Sequence, residues 1–156
     1  MLKREVLNRI LLMRLIELSN GILGKTRLQK LVFETEARTR RSGNTNTFNY
    51  KFIRWHYGPY SKELKNDMEF LINQGLVIEG PGHKFQISPK GLMYIEKTWS
   101  IVNQFFKSED KMAQTISELN NKSLSELLAE VYENHNVMEY KMGEVIEDLK
   151  YVGASE

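Results

Sequence analysis

The sequence has no cysteine. That absence excludes disulfides, thiolate metal sites, iron–sulfur clusters and cysteine nucleophiles, and it fits a reducing compartment. No apolar run approaches the roughly 18–20 residues that a membrane-spanning helix needs. The opening stretch Met1-Leu2-Lys3-Arg4-Glu5-Val6-Leu7 is charged and lacks both an uninterrupted apolar core and a small-residue cleavage site. It does not read as a secretion signal. Internal repeats, low-complexity tracts and long linkers are also missing. The expectation is a cytoplasmic protein with no membrane partner.

What is present describes an ordinary globular chain. Its 156 residues are 41% hydrophobic and 27% charged, which suits one domain able to bury about 68–70% of its unfolded surface without a disulfide or metal staple. The net charge of +2 conceals an asymmetry: residues 1–65 hold 14 Lys/Arg against 5 Asp/Glu, whereas residues 66–156 hold 8 against 15. Such a split suggests a polyanion partner, a complementary protein surface or head-to-tail self-contact. Folding that brings the two halves together would cancel it.

Periodicity places a helix over 2–18, where Val6, Leu7, Ile10, Leu11 and Leu15 recur at helical spacing, and Ser19-Asn20-Gly21 ends it. A second helix covers 25–41 with Leu28, Leu31, Val32 and Thr35 inward, followed by the turn cluster 42–46. Phe48 to Trp55 alternates and is aromatic, so it predicts a strand. Ser61 caps a third helix running to Asn73, with Leu64, Met68, Leu71 and Ile72 as its core stripe. Leu76-Val77-Ile78 and Lys84-Phe85-Gln86-Ile87 flank Gly80-Pro81-Gly82-His83 as a hairpin, and Ser88-Pro89 opens a further helix. Residues 109–150 predict two or three more helices, with stripes at Leu124, Leu127, Leu128 and Val131 and at Val145, Ile146 and Leu149. The expected fold is α+β and mostly helical. A winged-helix-like core over 1–108, with a small antiparallel sheet and a hairpin wing, carries a helical extension over 109–156.

Catalytic apparatus is not visible. Gly24-Lys25-Thr26 resembles part of a phosphate-binding loop, but Ser19 stands where that pattern requires glycine, and a helix rather than a strand precedes it. His56, His83 and His135 have no second histidine at ligand spacing; His56 is expected half-buried and His83 in a solvated turn. The chain is therefore expected to be no enzyme, with no cofactor and no metal.

The basic residues offer a binding reading. Arg27, Lys30, Arg38 and Arg41 share one helix face and could neutralise successive phosphates. Glu34 in the same row offers the alternative of a solvated face with local ion pairs. On the third helix, Lys62, Lys65, Asn66 and Asn73 could read base edges, although Glu63, Asp67 and Glu69 lie among them. His83 and Lys84 make a modest wing tip. The stretch Tyr50 to Tyr57 interleaves aromatics and bases, as a stacking platform or a core strand with one wet face would.

Arg27-Leu28-Gln29-Lys30-Leu31-Val32-Phe33, then Trp55-His56-Tyr57-Gly58-Pro59-Tyr60-Ser61, then Leu71-Ile72-Asn73-Gln74-Gly75-Leu76-Val77 resemble the YwgA-like proteins, and more distantly the SocA-type antitoxin (Panacea) domain. The similarity spans about residues 24–96. It implies an α+β, winged-helix-like fold and, from the SocA-type relatives, a non-enzymatic domain that binds and neutralises a toxin or acts as an adaptor to a protease. An ordinary helix-turn-helix joins its helices by a turn of about 3–4 residues. Here about 20 residues with a strand intervene, which displaces the usual support of a recognition helix.

Two functions follow as expectations. One is a DNA-binding regulator using Arg27, Lys30, Arg38, Arg41, Lys62, Lys65, Asn66, Asn73, His83 and Lys84. The other is a protein-interaction module that grips a partner protein, such as a toxin, through Tyr50, Trp55, Tyr57 and Tyr60 and the acidic C-terminal helices. The stripe Leu124/Leu127/Leu128/Val131 further suggests a homodimer, with closure of the same stripe over residues 89–107 of the monomer as the alternative.

Overall fold

The computed structural model describes residues 3–44, 47–107 and 109–146. These form six α-helices and five short strands in an α+β arrangement. Helix α1, Arg4–Ser19, carries Ile10-Leu11-Leu12-Met13 and Leu15-Ile16, all buried. It is apolar on too many sides for a surface helix, so it must be covered by other elements. Strand β1, Ile22–Leu23, leads into α2, Lys25–Arg41. Strands β2, Ile53–Trp55, and β3, Gly58–Tyr60, form a hairpin between α2 and α3, Lys62–Asn73. Strands β4, Val77–Gly80, and β5, Lys84–Ile87, form a second hairpin, followed by α4, Pro89–Val102. The chain continues with α5, Glu109–Leu119, and α6, Leu124–His135.

Local chemistry accounts for several boundaries. Ser61 and Ser88 accept from Leu64 N and Gly91 N at the starts of α3 and α4. Ser123 and Glu126 form a reciprocal capping box at α6. Gly91 is required by packing: a Cβ there would lie 2.2 Å from Leu76 O. The first turn of α4 can therefore lie directly on the backbone that enters β4, where Ser88 Oγ also bonds Gly75 O and Leu76 O.

β1 adds to the β4–β5 hairpin in the order β1-β5-β4, with Ile22 opposite Phe85. α1 packs on β5, α4 and α5; α2 packs on β1, β3, α5 and α6. One apolar cluster runs from Ile10 to Ile146 through every helix. Each fully buried Leu or Phe in it contributes roughly 1.5–3 kcal/mol before entropy is counted. Among the described residues no helix is long and apolar enough to cross a membrane.

Three local expectations change. Residues 48–52 belong to no ladder, although Phe48, Tyr50 and Phe52 are buried and Asn49 and Lys51 exposed, as alternation requires. Their amides are satisfied by side chains instead: Asn49 N donates to Asn8 Oδ1, Tyr50 N to Glu36 Oε1 and Lys51 N to Glu63 Oε1. Val145 and Ile146 are not helical; Val145 bridges to Ile53 and Ile146 N donates to Phe52 O. Leu149 lies outside the described residues. The α6 stripe is divided: Leu127 and Val131 are fully buried in the chain's own core, Leu128 is half-buried and Leu124 is exposed.

Candidate binding cleft

The cleft begins with α2, a helix that is polar by composition yet buried on nearly all sides. Gln29, in its second turn, makes a paired bond to the backbone of Ser61, the residue that follows the β2–β3 hairpin: Nε2 donates to Ser61 O at 2.9 Å, and Ser61 N donates to Oε1 at 2.8 Å. Next to it, Lys30 Nζ donates to Pro59 O at 2.7 Å. Gly58 completes the fit. Its φ is +95°, and a Cβ there would sit 3.3 Å from the Tyr132 ring and 3.4 Å from Lys30 Cε. The Leu28-Gln29-Lys30-Leu31 and Gly58-Pro59-Tyr60-Ser61 motifs are thus two halves of one contact.

Docked this way, the hairpin stands opposite α3 and leaves a cleft of about 540 Å³ between them. Leu28, Leu64, Met68, Ile72 and Phe85 supply its apolar lining, and Gln29 and Lys30 line it from α2. Trp55, His56, Tyr57 and Tyr60 form the hairpin wall; Lys25, Thr26, Lys65, Glu69, Asn73 and Glu79 complete the boundary. This size and apolar character are those of ligand pockets in general. Trp55 is 40% exposed and Tyr57 64% exposed, a large apolar surface for a monomer to leave wet at one hairpin tip.

Lys30 is 2% exposed, and burial lowers its ammonium to about 7. Among the described residues no carboxylate forms an ion pair with it. Lys65 faces Glu69 at 3.6 Å, and Glu79 faces His83 Nδ1 at 2.6 Å. Lys25 is exposed at the start of α2.

The basic row expected on α2 is corrected by burial. Arg27 is 9% exposed, and its guanidinium donates to Asn120 O at 3.1 Å. Lys30 is enclosed as described. Arg38 lies 3.4 Å from Glu34, 2.8 Å from Glu118 and 3.7 Å from Glu130, and its bond holds the Glu118 carboxyl below its ordinary value. Only Arg41 of the four is exposed. The physical reason is the covering of α2 by α5 and α6, which also brings Glu109 to Arg14. Across the two oppositely charged halves of the chain, Arg9 pairs with Asp67, Arg14 with Glu109, and Arg38 with Glu118 and Glu130.

The third-helix candidates Lys62, Lys65, Asn66 and Asn73 are exposed, as are His83 and Lys84 on the second hairpin. Lys65 and Asn73 line the cleft. Of the aromatic candidates, Trp55, Tyr57 and Tyr60 line it together, whereas Tyr50 is 6% exposed and gives its hydroxyl to Asp67 Oδ2 at 2.6 Å. Tyr50 therefore cannot meet a partner, and burial beside Asp67 raises its phenol well above the ordinary range. His56 is exposed rather than half-buried. Sequence reasoning missed Gln29 as the hairpin's anchor, and it missed the buried His135–Glu34 contact at 2.7 Å. It also missed Glu36, which burial raises to about 7. Among the described residues, no three metal-ligating side chains gather.

Comparison of the chain with models of known protein families, with curated proteins and with solved structures finds no match.

Proposed function

We propose that this protein is a non-enzymatic interaction module that takes a segment of a partner protein into the cleft between α2, α3 and the β2–β3 hairpin. The contrast between two sets of side chains carries this reading. Arg27, Lys30 and Arg38 of α2 are bonded inside the molecule, whereas Trp55 and Tyr57 stand exposed beside an apolar cleft. Trp and Tyr are the residues most often found to dominate protein interfaces. The resemblance to SocA-type antitoxin domains supports a partner of the toxin kind, and the cysteine-free sequence supports work in the cytoplasm.

The scaffold under this site is proposed to be a winged helix with an insertion. Helix, strand, two helices and a hairpin, with the first strand beside the last, is the winged-helix order once the β2–β3 hairpin is set aside. That order, with Lys62, Lys65, Asn66 and Asn73 exposed on α3, favours a second reading: duplex DNA held by α3, with the β4–β5 hairpin as wing. Glu63 and Glu69 on the same helix oppose phosphates.

Panning a random peptide library over the protein separates the two. The interaction reading expects enriched peptides whose binding weakens by about 2 kcal/mol or more when Trp55 or Tyr57 becomes Ala. The DNA reading expects no such peptides. It expects instead binding to mixed duplexes with a log–log salt slope of about −0.9 per neutralised phosphate, abolished by Lys62→Glu with Lys65→Glu.

A further inference from the structure

Lys30 poses a question that the fold does not answer. It is 2% exposed, yet among the described residues only the Pro59 carbonyl is bonded to it. An ammonium carries three donors, so two are left without a protein acceptor. Burying an ionisable amine in this way is costly unless it is paired. Tethering the hairpin does not require it, since Gln29 already holds Ser61 by two bonds. The position of Lys30 is informative as well: it is among the residues that line the cleft, together with the aromatic hairpin residues and the apolar residues of α3.

The charges around the cleft narrow what could complete the site. Lys65 and Glu69 face each other, and Glu79 faces His83. Of the lysines that line the cleft, Lys25 at the edge and Lys30 inside form no ion pair with a carboxylate of the described residues, whereas Lys65 does. Glu69 and Glu79 line the same space, which disfavours a doubly charged phosphate and suits a group of single negative charge.

Building on the partner-segment reading above, we infer that the cleft recognises a carboxylate on that segment, seated on Lys30 Nζ, with the segment's apolar flank against Trp55 and Tyr57. Lysine contributes here as a point charge that accepts a carboxylate in several orientations. The carboxylate belongs to an Asp or Glu side chain or to the end of the partner's chain; the chemistry at Lys30 is the same.

A carboxylate stabilises the charged ammonium, so binding draws a proton onto an amine that is about half protonated near pH 7 in the free protein. The expected signature is an affinity that falls as pH rises, about fifty-fold between pH 7 and pH 9. No exposed lysine would produce it, since an exposed ammonium stays charged across that interval.

The test uses the full chain and peptides enriched from a random library, synthesised with acetylated N-termini so that the peptide amine does not titrate. Each is made as selected, with Asp and Glu changed to Asn and Gln, and with an amidated C-terminus. The proposal expects one of the altered forms to bind at least about tenfold more weakly, and which one does so identifies the carboxylate. It also expects the parent peptide to follow the pH dependence above, with proton uptake in calorimetry, and Lys30→Met protein of native circular dichroism to bind weakly and without that dependence. Equal affinity of all three peptide forms, or a flat pH profile for the native protein, overturns the carboxylate inference and leaves the segment-binding reading standing. Failure to enrich any peptide overturns both.

Discussion

Helices α2 and α3 are similar in polar composition and opposite in fate. α2 has Arg27, Gln29, Lys30, Glu34, Thr35, Glu36 and Thr39 all buried. α3 exposes Lys62, Glu63, Lys65, Asn66, Glu69 and Asn73 while Leu64, Met68 and Leu71 are buried. α3 obeys the ordinary amphipathic rule. α2 departs from it because its polar groups hold neighbouring elements by specific bonds: Gln29 and Lys30 hold the β2–β3 hairpin, Glu36 accepts from Tyr50 N, Glu34 meets α6, and Thr35 and Thr39 return their hydroxyls to the helix's own carbonyls. Hydrophilic residues on a helix therefore report the chemistry of its neighbours as readily as they report water.

Substitutions should divide along the same line. The largest effect is expected at the α2–α6 contact. His135 is almost wholly buried, its Nε2 is 2.7 Å from the buried Glu34 carboxylate, and its ring meets Phe33 edge-on at 4.7 Å. His135→Ala removes a partner of a buried carboxylate and opens a cavity beside Phe33. Urea unfolding should lose about 3–5 kcal/mol. Glu69→Ala on α3 should lose about 0.5 kcal/mol or less, since its Lys65 contact is exposed. A similar loss at both sites would remove the distinction between the helices.

Next in size is the hairpin anchor. Gln29→Ala deprives both the N–H and the C=O of Ser61 of their side-chain partner in a buried setting. The Ser61 carbonyl still accepts from Lys65 N, so one buried N–H is left unsatisfied, and a loss of about 1–3 kcal/mol is expected in the same unfolding measurement. The proposed binding of a peptide in the cleft should weaken with it, because the hairpin wall is set by this bond.

The pH dependence sharpens the comparison further. The Lys30 ammonium is lowered by burial to about 7, so between about pH 7 and 10 the unfolded chain holds a proton that the folded chain has released. Stability gained from this group therefore rises with pH across that interval. Glu36 is raised to about 7 by burial; the folded chain then holds the extra proton between about pH 4.5 and 7, and stability from Glu36 falls as pH rises there. Together they place a minimum near neutrality. Thermal melts of the native protein and Lys30→Met should show the variant's relative stability greatest near pH 7 and declining towards pH 10. A constant difference would mean that Lys30 is not desolvated in the folded chain.

The parts of this molecule that were legible in sequence are those governed by neighbours in the chain. Ser61 and Ser88 each accept the capping bond that their place before a helix implies, and the hairpin about residues 80–83 lies where its turn residues put it. The hidden parts depend on residues far away. Alternation over 48–52 predicted a strand and left Tyr50 as a candidate partner contact, but nothing local indicated that Tyr50 would be buried or that Asn8, Glu36 and Glu63 would replace a neighbouring strand as hydrogen-bond partners. The same holds at the cleft. The aromatic segment announced itself, and Trp55, Tyr57 and Tyr60 do line one space. Lys30 looked like one cation in a surface row because its burial is created by the hairpin and by α6, neither of which leaves a mark around residue 30. Glu34 in that row was a readable warning, since an acid among bases fits internal pairing better than a phosphate track.

The smallest stability effect is expected where the sequence reading placed the DNA contact. Lys62 and Lys65 are exposed, and the one ion pair between them and α3's acids, Lys65 to Glu69, spans 3.6 Å at the surface. Charge reversal at both should change unfolding by about 0.5 kcal/mol or less, so binding can be measured on a folded variant. That makes it a clean comparison between α2 and α3. If α3 is only the far wall of a cleft whose cation is Lys30, reversing Lys62, which lies outside the cleft, leaves peptide affinity unchanged. Reversing Lys65, on the cleft boundary, weakens it by a few-fold through long-range charge that salt screens. If α3 instead meets a duplex, each reversal weakens that binding, the two together abolish it, and no peptide affinity exists for either to change. The two substitutions made singly, read at low and high salt, distinguish a helix that supports a site from a helix that is the site.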